Sequence, residues 1–145
     1  MQNAEVLKIR SFYRFYTKTI GLVDRYYLNT PYTLIQLRVL YETRYSSDCT
    51  ARKIVKTLQL DEGYLSRLID SFVKDGLLQK NRAEKDGRVF YISLTQKGQE
   101  FVEMIDEKAN ESNGKQISNL TNDELKAVTQ AMESITKYLS SESYD

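Results

Sequence analysis

The segment from Thr50 to Gly98 contains two short helical patterns, a turn between them and a charged hairpin, and it constrains the fold more than any other part of the chain. Thr50 and Asp61 are suited to cap the two helices, because their side-chain oxygens accept the free amide hydrogens of a first turn. Behind each cap, apolar residues recur at the spacing of one helical face. Gly76 is expected to end the second helix, since glycine adopts the left-handed conformation without penalty. The apolar positions are Ala51, Ile54, Val55 and Leu58 in the first helix and Leu65, Leu68, Ile69, Phe72 and Val73 in the second.

Two strand patterns follow the helices, from Leu77 to Asn81 and from Val89 to Leu94. Residues 82–88 form a charged turn between them. A helix pair followed by such a hairpin is typical of a winged helix-turn-helix, whose usual activity is the recognition of double-stranded DNA. We therefore expect a mainly α fold with a small β-hairpin wing.

Helical patterns also precede this segment. Apolar and aromatic residues spaced by three and four predict a first helix over about Ala4 to Tyr27, which Gly21 weakens. Pro31 breaks the chain after it. Thr33 and Gln36 have the spacing of a capping box and predict the start of a second helix.

Two further helices are predicted after the hairpin. Thr95 opens the first of them, and the polar residues 110–115 are expected to interrupt it. Thr121 and Glu124 form another capping box and open the last helix.

The terminal helices are too apolar along one face to be solvated alone. We expect residues 1–145 to form a single domain, in which residues 33–98 are the winged helix-turn-helix lobe and residues 4–27 and 99–140 are dimerisation helices. A two-fold homodimer of this kind places two recognition helices about 34 Å apart, which suits a pseudo-palindromic duplex.

The net charge of +1 conceals an uneven distribution of basic and acidic residues along the chain. Residues 1–49 carry seven basic and four acidic side chains, residues 50–97 carry ten and six, and residues 98–145 carry four and ten. Basic charge is therefore concentrated on the segment that is expected to meet phosphates, and acidic charge on the carboxyl-terminal third.

The composition excludes several classes of function. The chain has no histidine and one cysteine, Cys49, so zinc sites built from these residues and histidine-dependent catalysis are excluded. We predict no enzymatic activity, no catalytic residue, no metal site and no cofactor. Cys49 is interpreted as a small buried residue rather than a redox sensor. No run approaches the roughly 20 apolar residues of a membrane span, and no signal-peptide core is present, so a cytoplasmic location is expected.

Several motifs of the chain resemble those of MarR-type transcriptional regulators. The residues from Asp86 to Arg88 and from Leu94 to Gly98 match the D-x-R…L-T-x-x-G wing signature of that family. The segment from Leu65 to Leu78 resembles its recognition helix and the exit into the wing. The resemblance extends over nearly the whole chain and implies a dimeric transcriptional regulator.

A closer likeness is to the regulator half of MarR proteins that are fused to a GNAT acetyltransferase. It is carried by the segments from Val6 to Gly21 and from Leu60 to Arg67, and by Tyr41. None of the six glycines forms a G-x-G loop that would hold the pyrophosphate of acetyl-CoA. The likeness therefore implies ancestry and gives no ground for acetyltransferase activity.

The first half of the second helix in the central segment supplies the candidate base contacts. Arg67 is the first choice, because its planar fork fits guanine O6 and N7. The alternative is that Arg67 pairs with Asp70 or a phosphate. Tyr64 is suited to a thymine methyl group or a phosphate, or only to surface packing, and Gly63 permits close approach of the backbone. The residues expected to face the DNA here are Glu62, Gly63, Tyr64, Ser66 and Arg67.

The wing supplies the remaining candidates. Arg88 is expected to reach the minor groove or a phosphate, and the family resemblance implies that Asp86 orients it through an ion pair. Arg82 and Lys85 are expected to add salt-dependent phosphate contacts. The alternative is that these side chains are solvated charges of a hairpin. Arg52, Lys53 and Lys56, on the supporting helix, are expected to contact the DNA backbone rather than the bases.

Tyrosines are concentrated in the first two predicted helices. The family resemblance implies a pocket for a small aromatic or phenolic effector near Tyr13, Tyr16, Tyr27 and Tyr41, where rings and hydroxyl groups are both available. The favoured alternative is that these residues form an aromatic core and a dimer interface.

The function expected from these features is a homodimeric, sequence-specific repressor that a small-molecule effector releases from DNA. Two alternatives stay open. One is a constitutive DNA-binding protein without an effector. The other is a winged-helix module for protein contacts, which the acidic Asp61 and Glu62 on the recognition helix favour.

Overall fold

The computed structural model describes residues 3–83, 85 and 87–140. These residues confirm the predicted mainly α fold with a β-hairpin wing. None of the helices in this part of the chain is long and apolar enough to cross a membrane. The elements are α1 (Ala4–Thr19), a 3-10 turn (Tyr27–Asn29), α2 (Leu34–Tyr45), α3 (Ala51–Leu58), α4 (Glu62–Lys74), β1 (Leu78–Arg82), β2 (Phe90–Leu94), α5 (Gln96–Ile117) and α6 (Asn122–Leu139).

The chain divides into two compact units, and the boundary follows Asp106. The first unit contains α1 to α4, the hairpin and the start of α5. The second contains the rest of α5 and α6. The assignment of a winged lobe and dimerisation helices stays a prediction.

The predicted caps begin their helices as expected. The Asp61 carboxylate accepts the Tyr64 amide at 2.8 Å, so α4 starts with its free amides partly satisfied. Thr50 accepts the amide of Lys53 at 3.2 Å. Both predicted capping boxes are present, Thr33 with Gln36 and Thr121 with Glu124.

The prediction that the first helix extends to Tyr27 is wrong. Helix α1 ends at Thr19, and Gly21 adopts a φ of +82°. A Cβ at Gly21 would lie 3.0 Å from the Asp24 carboxylate and 3.1 Å from the Tyr27 ring. The glycine therefore turns the chain out of the helix at a point where a larger residue would not fit.

The predicted break at residues 110–115 is also wrong. Helix α5 continues through this stretch to Ile117, and Glu111 pairs with Lys115 at 3.3 Å one turn later. Polar residues without proline indicate a solvated helix surface here, and they do not end a helix whose backbone is intact. The chain leaves the helix only after Ile117.

The core of the first unit is formed by α2, α3, α4, the hairpin and the start of α5. Phe72, at its centre, is fully buried, and burial of a side chain of this size contributes about 2 kcal/mol. The prediction that Val73 belongs to the inner stripe of α4 is wrong, because its side chain is 38% exposed. Cys49 is buried in this core, and burial raises the pKa of its thiol, as expected for a packing residue. The core also contains Leu37, Val39, Leu40, Ile54, Leu65, Leu68, Ile69, Leu77, Leu78, Ile92, Leu94, Val102 and Ile105.

The two strands pair antiparallel, with Leu78 opposite Leu94 and Arg82 opposite Phe90. The buried side chain of Ile92 faces the core, and its amide donates to the carbonyl of Cys49 at 2.8 Å. The wing is therefore attached to the loop that precedes α3 as well as to the end of α4.

The end of α4 is joined to the start of α5 by a group of bonds that involve the L-T-x-x-G motif. The Thr95 hydroxyl donates to the Gly76 carbonyl at 2.6 Å and accepts the Gly98 amide at 2.9 Å. The Thr95 amide donates to the Leu77 carbonyl at 3.0 Å. A Cβ at Gly98 would overlap that carbonyl oxygen and lie 3.0 Å from its carbon. The motif is thus a close backbone contact, which we call the α4–α5 junction (residues 75–77 and 95–98).

Within this junction, Asp75 also makes a contact with the start of α2. Its carboxylate accepts the Tyr32 hydroxyl at 2.7 Å, and its carbonyl accepts the Lys97 ammonium at 2.9 Å. The Tyr32 ring packs between Phe72 and Phe101, at centroid distances of 5.3 and 5.7 Å. Burial, together with the bond to Asp75, raises the pKa of Tyr32 to about 12.

The two glycines of α5 are expected to respond oppositely to alanine. Gly98→Ala forces a methyl group against the Leu77 carbonyl and should lower the free energy of unfolding by about 3 kcal/mol. Gly114 has no neighbour within 4 Å, so Gly114→Ala should raise it by about 0.5–1 kcal/mol through helix propensity. Urea unfolding followed by circular dichroism measures both. Equal effects of the two variants would contradict the close contact at the junction.

Candidate nucleic-acid interface

The first turns of α4 present the predicted base-contacting residues to solvent. The Asp61 cap sets the start of this helix, and the buried Leu65 and Leu68 fix which side faces inward. Tyr64 is half-buried and packs against the core. The exposed residues of this surface are Glu62, Gly63, Ser66 and Arg67.

Gly63 leaves room for the Arg67 side chain. A Cβ at position 63 would lie 3.2 Å from Arg67 Nη1 and 3.2 Å from Asp61 Oδ2. The guanidinium therefore lies back over the first turn, close to the capping carboxylate. The alternative partner Asp70 is engaged elsewhere, since it binds Lys80.

The wing residues Arg82, Lys85 and Arg88 are all exposed. The Arg82 guanidinium lies 5.5 Å from the centroid of the Phe90 ring, which supports its position at the base of the turn. Asp86 lies outside the described residues, so its ion pair with Arg88 stays a prediction from the family resemblance.

A groove of about 310 Å³ lies between the start of α3, the middle of α4 and the wing. Three cationic side chains line it, and the lining residues of the described chain include no acid. We call it the basic groove. Its lining is Thr50, Ala51, Arg52, Ser66, Ile69, Lys80, Arg88, Val89, Phe90 and Ile92.

The four tyrosines predicted to form an effector pocket fall into two groups. Tyr27 and Tyr41 are half-buried and close together, since each has a pKa that burial raises and Tyr27 contributes to raising that of Tyr41. The Tyr41 hydroxyl also donates to Asp106. Tyr13 and Tyr16 lie on α1, which has no buried residue. Their common role in a pocket stays a prediction.

A second cavity of the described residues was not expected from the sequence. It has about 760 Å³ and lies where the start of α2, the end of α4 and the start of α5 meet. Three segments distant in sequence form it, so no local pattern could have revealed it. We call it the Tyr32 cleft, and its lining is Pro31, Tyr32, Gln36, Leu68, Ser71, Asp75, Leu77, Lys97 and Phe101.

The winged unit corresponds to a known family. Residues 22–105 match the family model for the transcriptional regulators SarA/Rot. The chain belongs to this family. The match covers the α2–α3–α4 helices, the wing and the α4–α5 junction, and it makes the chain a transcriptional regulator.

A relative with a related description is the HTH-type transcriptional regulator BilQ of Clostridium symbiosum. It is 29% identical over 106 residues, which are 71% of this chain and 74% of BilQ.

Solved structures confirm the predicted MarR-like fold of this SarA/Rot-family chain. A cysteine-to-serine mutant of MarR from E. coli, complexed with operator DNA, has a TM-score of 0.69 at 24% identity, over 92% of this chain and 99% of that one. Streptococcus pneumoniae FabT in complex with DNA has a TM-score of 0.70 at 16% identity, over 91% and 92%. At these identities the likeness establishes the fold alone. The closer likeness to acetyltransferase fusions stays a prediction.

Proposed function

We propose that this chain is a sequence-specific, double-stranded DNA-binding repressor that acts as a homodimer and that a small-molecule effector releases. The observation that carries the proposal is the placement of the exposed start of α4 beside the basic groove and the wing. A helix that projects polar side chains next to a cationic groove and hairpin suits a DNA major groove and its flanking phosphates.

The acidic residues at the start of α4 do not oppose this proposal. The Asp61 carboxylate is bonded to the Tyr64 amide and serves as the helix cap. Glu62 lies in the first turn, where the positive end of the helix dipole favours a negative charge. The presence of both acids is therefore explained by the stability of the helix start, which weakens the alternative of a protein-contact module.

Replacement of Arg67 by alanine tests whether this residue contributes to the sequence specificity of DNA binding. Arg67→Ala should bind the preferred sequence about 5- to 150-fold more weakly, because a bidentate guanine contact is worth about 1–3 kcal/mol. Its affinity for random duplexes should change little. The preferred sequence comes from selection on randomised duplex DNA, followed by binding measurements at two salt concentrations. Lys74→Ala, which removes one positive charge from the last turn of the same helix, is the control and should leave the preference intact.

Two other results of this selection would contradict the proposal, and each would indicate a different class of protein. Weak, salt-sensitive binding without an enriched inverted repeat would indicate an architectural protein. Absence of binding would indicate a protein-contact module.

A homodimer follows from the apolar residues that α1 and α6 expose. Neither helix has a buried residue, although both carry an apolar stripe. Stripes of this size are normally covered by another protein surface, and a second copy presents matching stripes. The exposed residues include Val6, Ile9, Phe12, Tyr13 and Tyr16 on α1 and Val128, Met132, Ile135 and Leu139 on α6.

A charge in the α1 stripe should separate the dimer. The 16.9-kDa chain is expected to sediment as a dimer, and Ile9→Asp as a monomer, because the buried carboxylate would be desolvated in the interface. Ser11→Asp adds the same charge to the same helix but lies away from the stripe, and it should remain dimeric. A monomeric wild type, or a dimer that survives Ile9→Asp as well as it survives Ser11→Asp, would contradict this interface.

Release by an effector is supported by the Tyr32 cleft. Its volume lies within the range of about 300–1,000 Å³ that is usual for ligand sites. The cleft borders Asp75, so a ligand that displaces the Tyr32 hydroxyl or the Lys97 ammonium would disturb the end of α4. The group of Tyr13, Tyr16, Tyr27 and Tyr41 is the second proposed location.

A panel of phenols and phenolic carboxylates tests this part of the proposal, with release of a labelled duplex as the measurement. At least one compound should weaken DNA binding, since binding to one conformation shifts the population towards it. Tyr32→Phe and Tyr41→Phe distinguish the two locations, and Tyr138→Phe, at a 77% exposed position, is the control. Unchanged DNA affinity with every compound would favour a constitutive DNA-binding protein.

A further inference from the structure

An ion pair connects the recognition helix to the wing. Asp70 Oδ1 on α4 and Lys80 Nζ on β1 are 2.7 Å apart. The Asp70 side chain is 63% exposed and that of Lys80 is 40% exposed. Lys80 also lines the basic groove, whereas Asp70 does not, so the ammonium is held at the groove by an acid outside its lining.

The geometry of duplex DNA explains why a cation at the position of Lys80 would matter for binding. The major and minor grooves are separated by one sugar–phosphate strand. A protein that inserts α4 into the major groove and its wing into the neighbouring minor groove must therefore seat that strand between the two. The basic groove lies between α4 and the wing and offers Arg52, Lys80 and Arg88 to the phosphates.

Asp70 and a phosphate are alternative partners for Lys80. Both present anionic oxygens that accept hydrogen bonds from an ammonium group. An exposed ion pair contributes little to stability, whereas a phosphate contact also releases a condensed counterion. DNA should therefore take Lys80 from Asp70, and the freed carboxylate then lies near the phosphate strand.

We propose that Asp70 is an internal competitor for the DNA backbone, and that DNA binding exchanges the Asp70–Lys80 ion pair for a contact between Lys80 and a phosphate. The inference rests on the proposed function and adds a regulatory element to the same surface. The exchange weakens binding to every duplex, independently of sequence, and so limits the non-specific occupation of DNA.

The test uses the full chain and a labelled duplex of random sequence, with affinity measured by fluorescence anisotropy over a series of salt concentrations. Asp70→Asn keeps the shape of the side chain and removes the competitor. It should tighten binding about three- to tenfold at low salt. Glu103→Gln, on α5, makes the same change in charge at an exposed residue outside the groove lining and should have a smaller effect.

Lys80→Ala and the double variant that combines it with Asp70→Asn complete a double-mutant cycle. Lys80→Ala should reduce the slope of log affinity against log salt by about 0.9, the value for one phosphate contact on duplex DNA. The gain from Asp70→Asn should be at least about twofold smaller in the Lys80→Ala background, because no ion pair is then left to break.

Three results would overturn the exchange while leaving DNA binding intact. They are no gain from Asp70→Asn beyond that of Glu103→Gln, an equal gain in both backgrounds, and an unchanged salt slope in Lys80→Ala. Failure of the proposed function looks different, since neither the wild type nor Asp70→Asn would then bind duplex DNA at the lowest salt concentration.

Discussion

The close contact between Gly98 and the Leu77 carbonyl is the constraint on which the arrangement of the winged unit depends. It lets α5 begin directly against the residue at which α4 passes into β1. Thr95 then bonds to both sides of the same turn. The L-T-x-x-G motif is therefore explained by packing of the backbone, and its hydroxyl and its missing side chain serve one purpose. Helix α4 is held by its carboxyl-terminal end.

This anchoring divides α4 into two functional ends. Its first turns are exposed and present Arg67 beside the basic groove, whereas its last residue leads into Asp75 and the Tyr32 cleft. The proposed effector and DNA sites are thus connected by the helix itself. The Asp70–Lys80 pair lies between these ends and adds the wing to the same unit.

Much of the local structure could be predicted from the sequence, because caps and glycine stops act through neighbouring residues. Asp61, Thr50 and Gly76 are placed as their chemistry requires. The prediction of a break at residues 110–115 is wrong because polar residues can form the solvated surface of a continuous helix. The Tyr32 cleft and the Asp70–Lys80 pair could not be predicted, since they join segments whose meeting depends on the whole fold.

The most direct test of the account is to map where the wing lies on DNA. Lys85→Cys places a reactive thiol on the exposed turn, and Cys49 is buried, so an iron–EDTA label is directed to position 85. Bound to a selected operator, the labelled protein is predicted to cleave the minor groove at two positions related by the two-fold symmetry of the site. Uniform or absent cleavage with binding retained would contradict a surface in which DNA lies between α4 and the wing.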